Sequence, residues 1–116
     1  MALYLVQAAY TPESWAHQTR SPESPVDRLR PMTDKLGGRI HSAYYAFGEY
    51  DVCVVLELPD NESVAAWSIA ASAGGSVKSI KTTTLMTVEQ GLGAMRKAAS
   101  LASAYQAPTG KQLAGV

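Results

Sequence analysis

RIHSAYYAFGEYDVCVVLEL, residues 39–58, decides the fold. Its flanks, RIHSAYYAF at 39–47 and DVCVVLEL at 51–58, are rich in β-branched and aromatic residues, and GEY stands between them. That pattern predicts a β-hairpin with a short, glycine-containing loop. A three-residue loop places Phe47 opposite Asp51, Tyr45 opposite Cys53, Ala43 opposite Val55 and His41 opposite Glu57. A loop of different parity would carry a whole set of side chains to the other face, because the strand period is two. At the corner, Gly48 can adopt a positive φ, Tyr50 can lay its ring over the hairpin's end, and Asp51 can accept N–H bonds from the loop. These are structural jobs, with Tyr50 and Asp51 as further candidates to line a pocket mouth.

Before the hairpin, LYLVQAAY at 3–10 has a strand's length and composition. Thr11 and Pro12 then offer an N-cap and first-turn proline for a short helix through SWAHQT. A second helix is predicted from Ser24 and Pro25, with Leu29, Met32 and Leu36 on one stripe and Gly37-Gly38 as its stop. Pro31 lacks an amide hydrogen, so a kink or a late start is expected there. After the hairpin, Asp60 caps a helix whose Val64, Trp67 and Ala71 share a face, and Gly74-Gly75 ends it. SVKSIKTTTLMTV, 76–88, reads as one long strand, and Leu92, Met95, Ala99 and Ala102 form a stripe on a terminal helix. The tail APTGKQLAGV, 107–116, loses this pattern and is expected to be loose.

Strand, helix, strand, strand, helix, strand is the order of the ferredoxin-like βαββαβ plait, an α+β fold with a four-stranded antiparallel sheet and its helices on one face. The expected domains are a plait at 1–90 and a C-terminal helix and tail at 91–116. The sheet's other face, left without helices, is an apolar patch larger than a soluble monomer usually shows. A face-to-face homodimer or higher homo-oligomer would cover it.

Composition narrows the partners. At 116 residues one domain can bury about 65% of its unfolded surface, so no metal or disulfide staple is needed. Ten basic and ten acidic residues cancel, which gives no electrostatic footprint for nucleic acid or a membrane surface. The single cysteine, Cys53, reads as a buried thiol, and a cytoplasmic location is expected. There is no His-x-x-x-His or Cys-x-x-Cys spacing, so neither a metal nor another cofactor is expected. The glycines at 91 and 93, and GGS at 74–76, read as punctuation rather than phosphate loops.

In this register His41, Tyr45 and Glu57 share one sheet face. A carboxylate beside an imidazole makes proton transfer feasible near neutral pH, which makes His41 and Glu57 the candidate catalytic pair and Tyr45, Tyr50 and Asp51 the candidate ligand-binding residues. The plain alternative is a cross-strand contact at an interface. His17, beside Trp15, reads as solvent-facing.

LYLVQAAYT, the LGG before the second strand, and above all SAYYAFGEYDVCVVLELPD resemble the small bacterial GYD domain family, named for its Gly-x-Tyr-Asp-type corner. The resemblance spans roughly residues 3–90. It implies the dimeric α/β-barrel superfamily, whose members include cofactor-independent monooxygenases, muconolactone isomerase and stress-responsive barrel proteins, and it implies no particular activity. Glu49 stands where a basic residue is frequent in the family, and Pro31 interrupts a usually unbroken helix. The leading functional reading is a homo-oligomeric barrel domain that binds a small, largely apolar molecule. The alternatives are a cofactor-independent monooxygenase or isomerase using His41 and Glu57, and a scaffolding module using the C-terminal segment.

Overall fold

The structure is a computed structural model and describes residues 1–109. It comprises β1 (Ala2–Tyr10), α1 (Pro12–Arg20), α2 (Pro25–Lys35), β2 (Arg39–Tyr45), β3 (Val52–Leu58), α3 (Asn61–Ala73), β4 (Val77–Leu85) and α4 (Val88–Leu101). The strands form one antiparallel sheet in the order β2-β3-β1-β4, the ferredoxin-like plait. The chain divides into two compact units, Met1–Leu85 and Met86–Val116. The expectation of a loose tail lies mostly outside the described residues.

Local chemistry explains the helix starts. Thr11, Ser24 and Asp60 each accept a backbone N–H of the first turn through a side-chain oxygen, from Ser14, Val26 and Ser63 respectively. Each thereby satisfies a donor that has no partner within its helix. Pro12 and Pro25 follow their caps with φ already suited to a first turn. The α2 helix begins at Pro25 and continues through Pro31, so no late start occurs. Thr87 and Gln90 form a reciprocal capping box for α4, which ends β4 at Leu85 rather than at residue 88.

Alternation in β1 and β3 builds the core. Tyr4, Val6, Ala8 and Tyr10 join Val52, Val54, Leu56 and Leu58 on one sheet face, where Val64 and Trp67 of α3, Leu29 and Met32 of α2 and its C-cap Leu36 pack on them. Trp67 is only 2% exposed, and its indole Nε1–H donates to Thr33 Oγ1 at 2.9 Å. The Thr33 hydroxyl in turn donates to the Leu29 carbonyl at 2.8 Å. Thus the two helices share a buried polar link whose members are all paired.

The hairpin register differs from the expected one. Ala46 N–H donates to the Asp51 carbonyl at 2.8 Å, so pairing continues past Tyr45 and Val52, and Phe47, Gly48, Glu49 and Tyr50 form the loop. Tyr45 therefore faces Val52, Tyr44 faces Cys53 and Ala43 faces Val54. Phe47, expected on the strand opposite Asp51, instead stands at the tip with its ring fully exposed (103%). Beyond Ser42 the ladder slips at His41 and resumes with Ile40 opposite Leu56 and Arg39 opposite Glu57. This bulge adds one residue to β2.

Two expectations for the corner are corrected as well. Among the described residues the positive-φ glycines are Gly37 and Gly75, both at 78°, and Gly48 is not one of them. A Cβ built on Gly48 meets nothing within 4 Å. Gly48→Ala is accordingly expected to change the unfolding free energy by no more than about 0.5 kcal/mol, measured by urea denaturation. Asp51 looks away from the loop to β1: its carboxylate accepts the Tyr10 N–H at 2.8 Å and its own N–H donates to the Ala8 carbonyl at 2.8 Å. The corner is a clasp that fixes the hairpin to the central strand.

Candidate functional site

A cavity of the plait follows from a taper in α3. Along its inner face the residues run from Val64 and Trp67 to Ala70, Ala71 and finally Gly74. The large side chains fill the space over the sheet at one end, and the small ones leave it open at the other. The result is a cavity of about 240 Å³ between sheet and helices. The sheet contributes Val6, Ala8, Val52, Val54, Val77 and Ile80, α2 contributes Leu29, and Tyr10, Arg28 and Ser76 bring the polar groups. An apolar cavity of about 150 Å³ is enough to hold benzene.

Tyr10 and Arg28 are joined at this site. Arg28 donates through one terminal nitrogen to the Tyr10 hydroxyl at 3.1 Å and through the other to the Glu23 carbonyl at 3.0 Å. Burial holds the Tyr10 phenol above the ordinary tyrosine value, against the lowering effect of Arg28, so it is a neutral hydroxyl at physiological pH. The Tyr10 ring also meets Trp15 of α1 edge to face, with centroids 5.2 Å apart.

None of the five residues singled out in the sequence lines this cavity. His41 and Glu57 do meet, with Nε2 3.3 Å from Oε2. They do so through the bulge rather than through the expected register. The same carboxylate oxygen accepts the Arg39 Nε–H at 3.0 Å. Their side chains are 33% and 23% exposed on the helix-free face. Tyr45 lies across the sheet from them, on the helix side opposite Val52, which corrects the expectation of a shared face. Tyr50 lines a shallow recess at the hairpin tip with Gln7, Cys53 and Lys81, and Asp51 is engaged with β1.

Hydrogen bonding from His41, with Arg39 adding to it, holds the Glu57 carboxyl below the usual glutamate range despite partial desolvation. A depressed carboxylate is a poorer proton acceptor, which weakens Glu57 as a general base. The sign for stability follows by linkage. With its folded-state pKa lowered, Glu57 stabilises the fold fully above its unfolded-state value, near 4.3, and loses that contribution as pH falls through the lower folded value. The stability difference between the parent and Glu57→Gln should thus shrink as pH falls from 5 to 3. Urea midpoints that shift in parallel over that interval would contradict this.

Among the described residues, no three His, Cys, Asp or Glu side chains cluster to hold a metal, and no helix is long and apolar enough to cross a membrane.

With the geometry in place, comparison with known proteins fixes the kinship. The family model described as GYD domain matches residues 4–95, most of the chain. The chain belongs to the GYD domain family. Curated proteins offer no significant match to this GYD domain. Among solved structures, FFRP-DM1 aligns with a TM-score of 0.53 at 14% identity, over 74% of this chain and all of its own. A hypothetical protein from Pyrococcus horikoshii aligns with a TM-score of 0.47 at 12% identity, over 75% of this chain and 92% of its own. MtbAldR aligns at 0.48 and 9% identity, over 74% of this chain and 52% of its own. The likeness to FFRP-DM1 is one of fold.

The cavity residues had a signal in the sequence. Val64, Trp67 and Ala71 share one face, and the drop in volume from Trp67 to Ala71 and Gly74 marks the space left open. Arg28 carried no local mark at all, since a single arginine on a helix is ordinarily solvated.

Proposed function

We propose that this GYD domain binds a small, largely apolar molecule in the cavity between sheet and helices. The observation that carries the reading is the apolar chamber of about 240 Å³ left by Ala70, Ala71 and Gly74 over the strand valines. Ligand sites of this kind are concave, mostly apolar and carry few polar groups. The test is titration with propylbenzene, followed by the methyl NMR signals of Val6, Val52, Val54 and Ile80. Saturable shifts in the parent that vanish in Ala71→Phe, which fills the chamber, are expected. Unchanged methyl signals in the parent at saturating propylbenzene would remove the reading.

We infer a homo-oligomer for the same chain. Leu3, Leu5, Val55 and Leu85 alternate with the core residues of their strands and so belong to the helix-free face, and Tyr44, opposite Cys53, is largely exposed there. A second copy laid on this face would cover it by an isologous contact. Sedimentation velocity should show a dimer or larger species that Val55→Asp dissociates; a parent that sediments as a monomer at high concentration would refute it. An enzymatic role for His41 and Glu57 is less well supported, because the pair lies outside the cavity and Glu57 is already committed to Arg39.

A further inference from the structure

The cavity does not end at Tyr10 and Arg28. A second, smaller recess of about 90 Å³ shares Tyr10, Arg28 and Ser76 with it, and its other walls are polar: Ser14, His17, Gln18, Ser21 and Glu23. An apolar chamber and a polar antechamber therefore meet at one arginine and one tyrosine. A guanidinium has five N–H donors, and Arg28 uses its two terminal nitrogens toward the Tyr10 hydroxyl and the Glu23 carbonyl. Arg30 and Arg39 are paired with Asp27 and Glu57, whereas Arg28 has no carboxylate partner among the described residues. The Tyr10 hydroxyl accepts from Arg28, and its own hydrogen is left to donate elsewhere.

Deepening the reading of a small-molecule cavity, on which it rests, we propose that the occupant is an amphipathic monocarboxylate. Its apolar body, the size of a benzene ring with a short stem, fills the chamber, and its carboxylate sits at the junction, accepting hydrogen bonds from Arg28 and the Tyr10 hydroxyl. Planar carboxylate is the anion best matched to the forked donors of a guanidinium. Glu23 already lines the recess, so a single negative charge suits the junction better than two.

The experiment compares 3-phenylpropionate with propylbenzene, the same body without the acid, by calorimetric or NMR titration of the full chain. The acid should bind at least about tenfold more tightly. Arg28→Gln, a change at an exposed side chain, should abolish that preference while leaving propylbenzene within about twofold. Tyr10→Phe keeps the ring and should weaken the acid alone. If both ligands bind equally to the parent, or if Arg28→Gln weakens both alike, the carboxylate site is refuted and the apolar cavity stands. If neither binds, the cavity reading falls with it.

Discussion

Replacing Trp67 by alanine should lower the unfolding free energy by about 3–5 kcal/mol, the range for truncating a large buried aromatic residue. Two separate losses combine. The indole is almost wholly enclosed between α2, α3 and the strands, and truncation would leave a void continuous with the existing cavity, which the surrounding valines are too short to close. The second loss is polar: Thr33 Oγ1 would lose the Nε1–H donor while its own hydroxyl stayed bonded to Leu29. Thr33→Val examines that second part alone. It strands the indole N–H in the core and should cost about 1–3 kcal/mol. Because the two side chains act on one bond, the double variant should cost less than the sum of the singles. Urea denaturation of the four proteins gives the cycle. Additive losses would mean that the Trp67–Thr33 bond does not join the helices, and a Trp67→Ala cost near 1 kcal/mol, the centre of the range for ordinary substitutions, would mean that the ring is not the keystone between them.

The parts of this molecule that were legible in the sequence are those set by neighbours along the chain. Thr11, Ser24 and Asp60 each precede the amide they cap by two or three residues, so the cap can be read without knowing the fold. The plait follows from the order of such elements. What was not legible depends on contacts across the sheet. The loop could be counted in two ways from GEY alone. The deciding bonds run from Asp51 to Ala8 and Tyr10, which are distant in sequence. His41 and Glu57 meet not through direct register but through a bulge that no residue type in RIHSA announces. The cavity is a deficit of volume between α3 and three strands. It becomes visible only when Ala71 and Gly74 are placed over Val6, Val52 and Val54.

Gly38→Ala should be about as damaging as a core truncation, toward or beyond the upper end of the roughly 1–3 kcal/mol typical of overpacking. The reason is close approach, not backbone conformation, since the left-handed glycine of this turn is its neighbour Gly37. A Cβ on Gly38 would strike the Glu57 carbonyl oxygen and the Leu58 side chain. Leu58 is fully buried, and Glu57 is paired with Arg39 on one side and Leu3 on the other. Neither can retreat without disturbing the ladder on both sides, whereas Gly48, at the open tip, has free space in the same position. The Gly38 N–H also closes the end of α2 on the Thr33 carbonyl, so a shift that relieved the clash would pull on the helix that carries Arg28 and Thr33. Denaturant midpoints for Gly38→Ala and Gly48→Ala should therefore separate widely, and the first variant should also lose propylbenzene binding before it unfolds. Equal midpoints would show that β2 is not held against β3 as tightly as the register requires, and that the floor of the cavity does not depend on it.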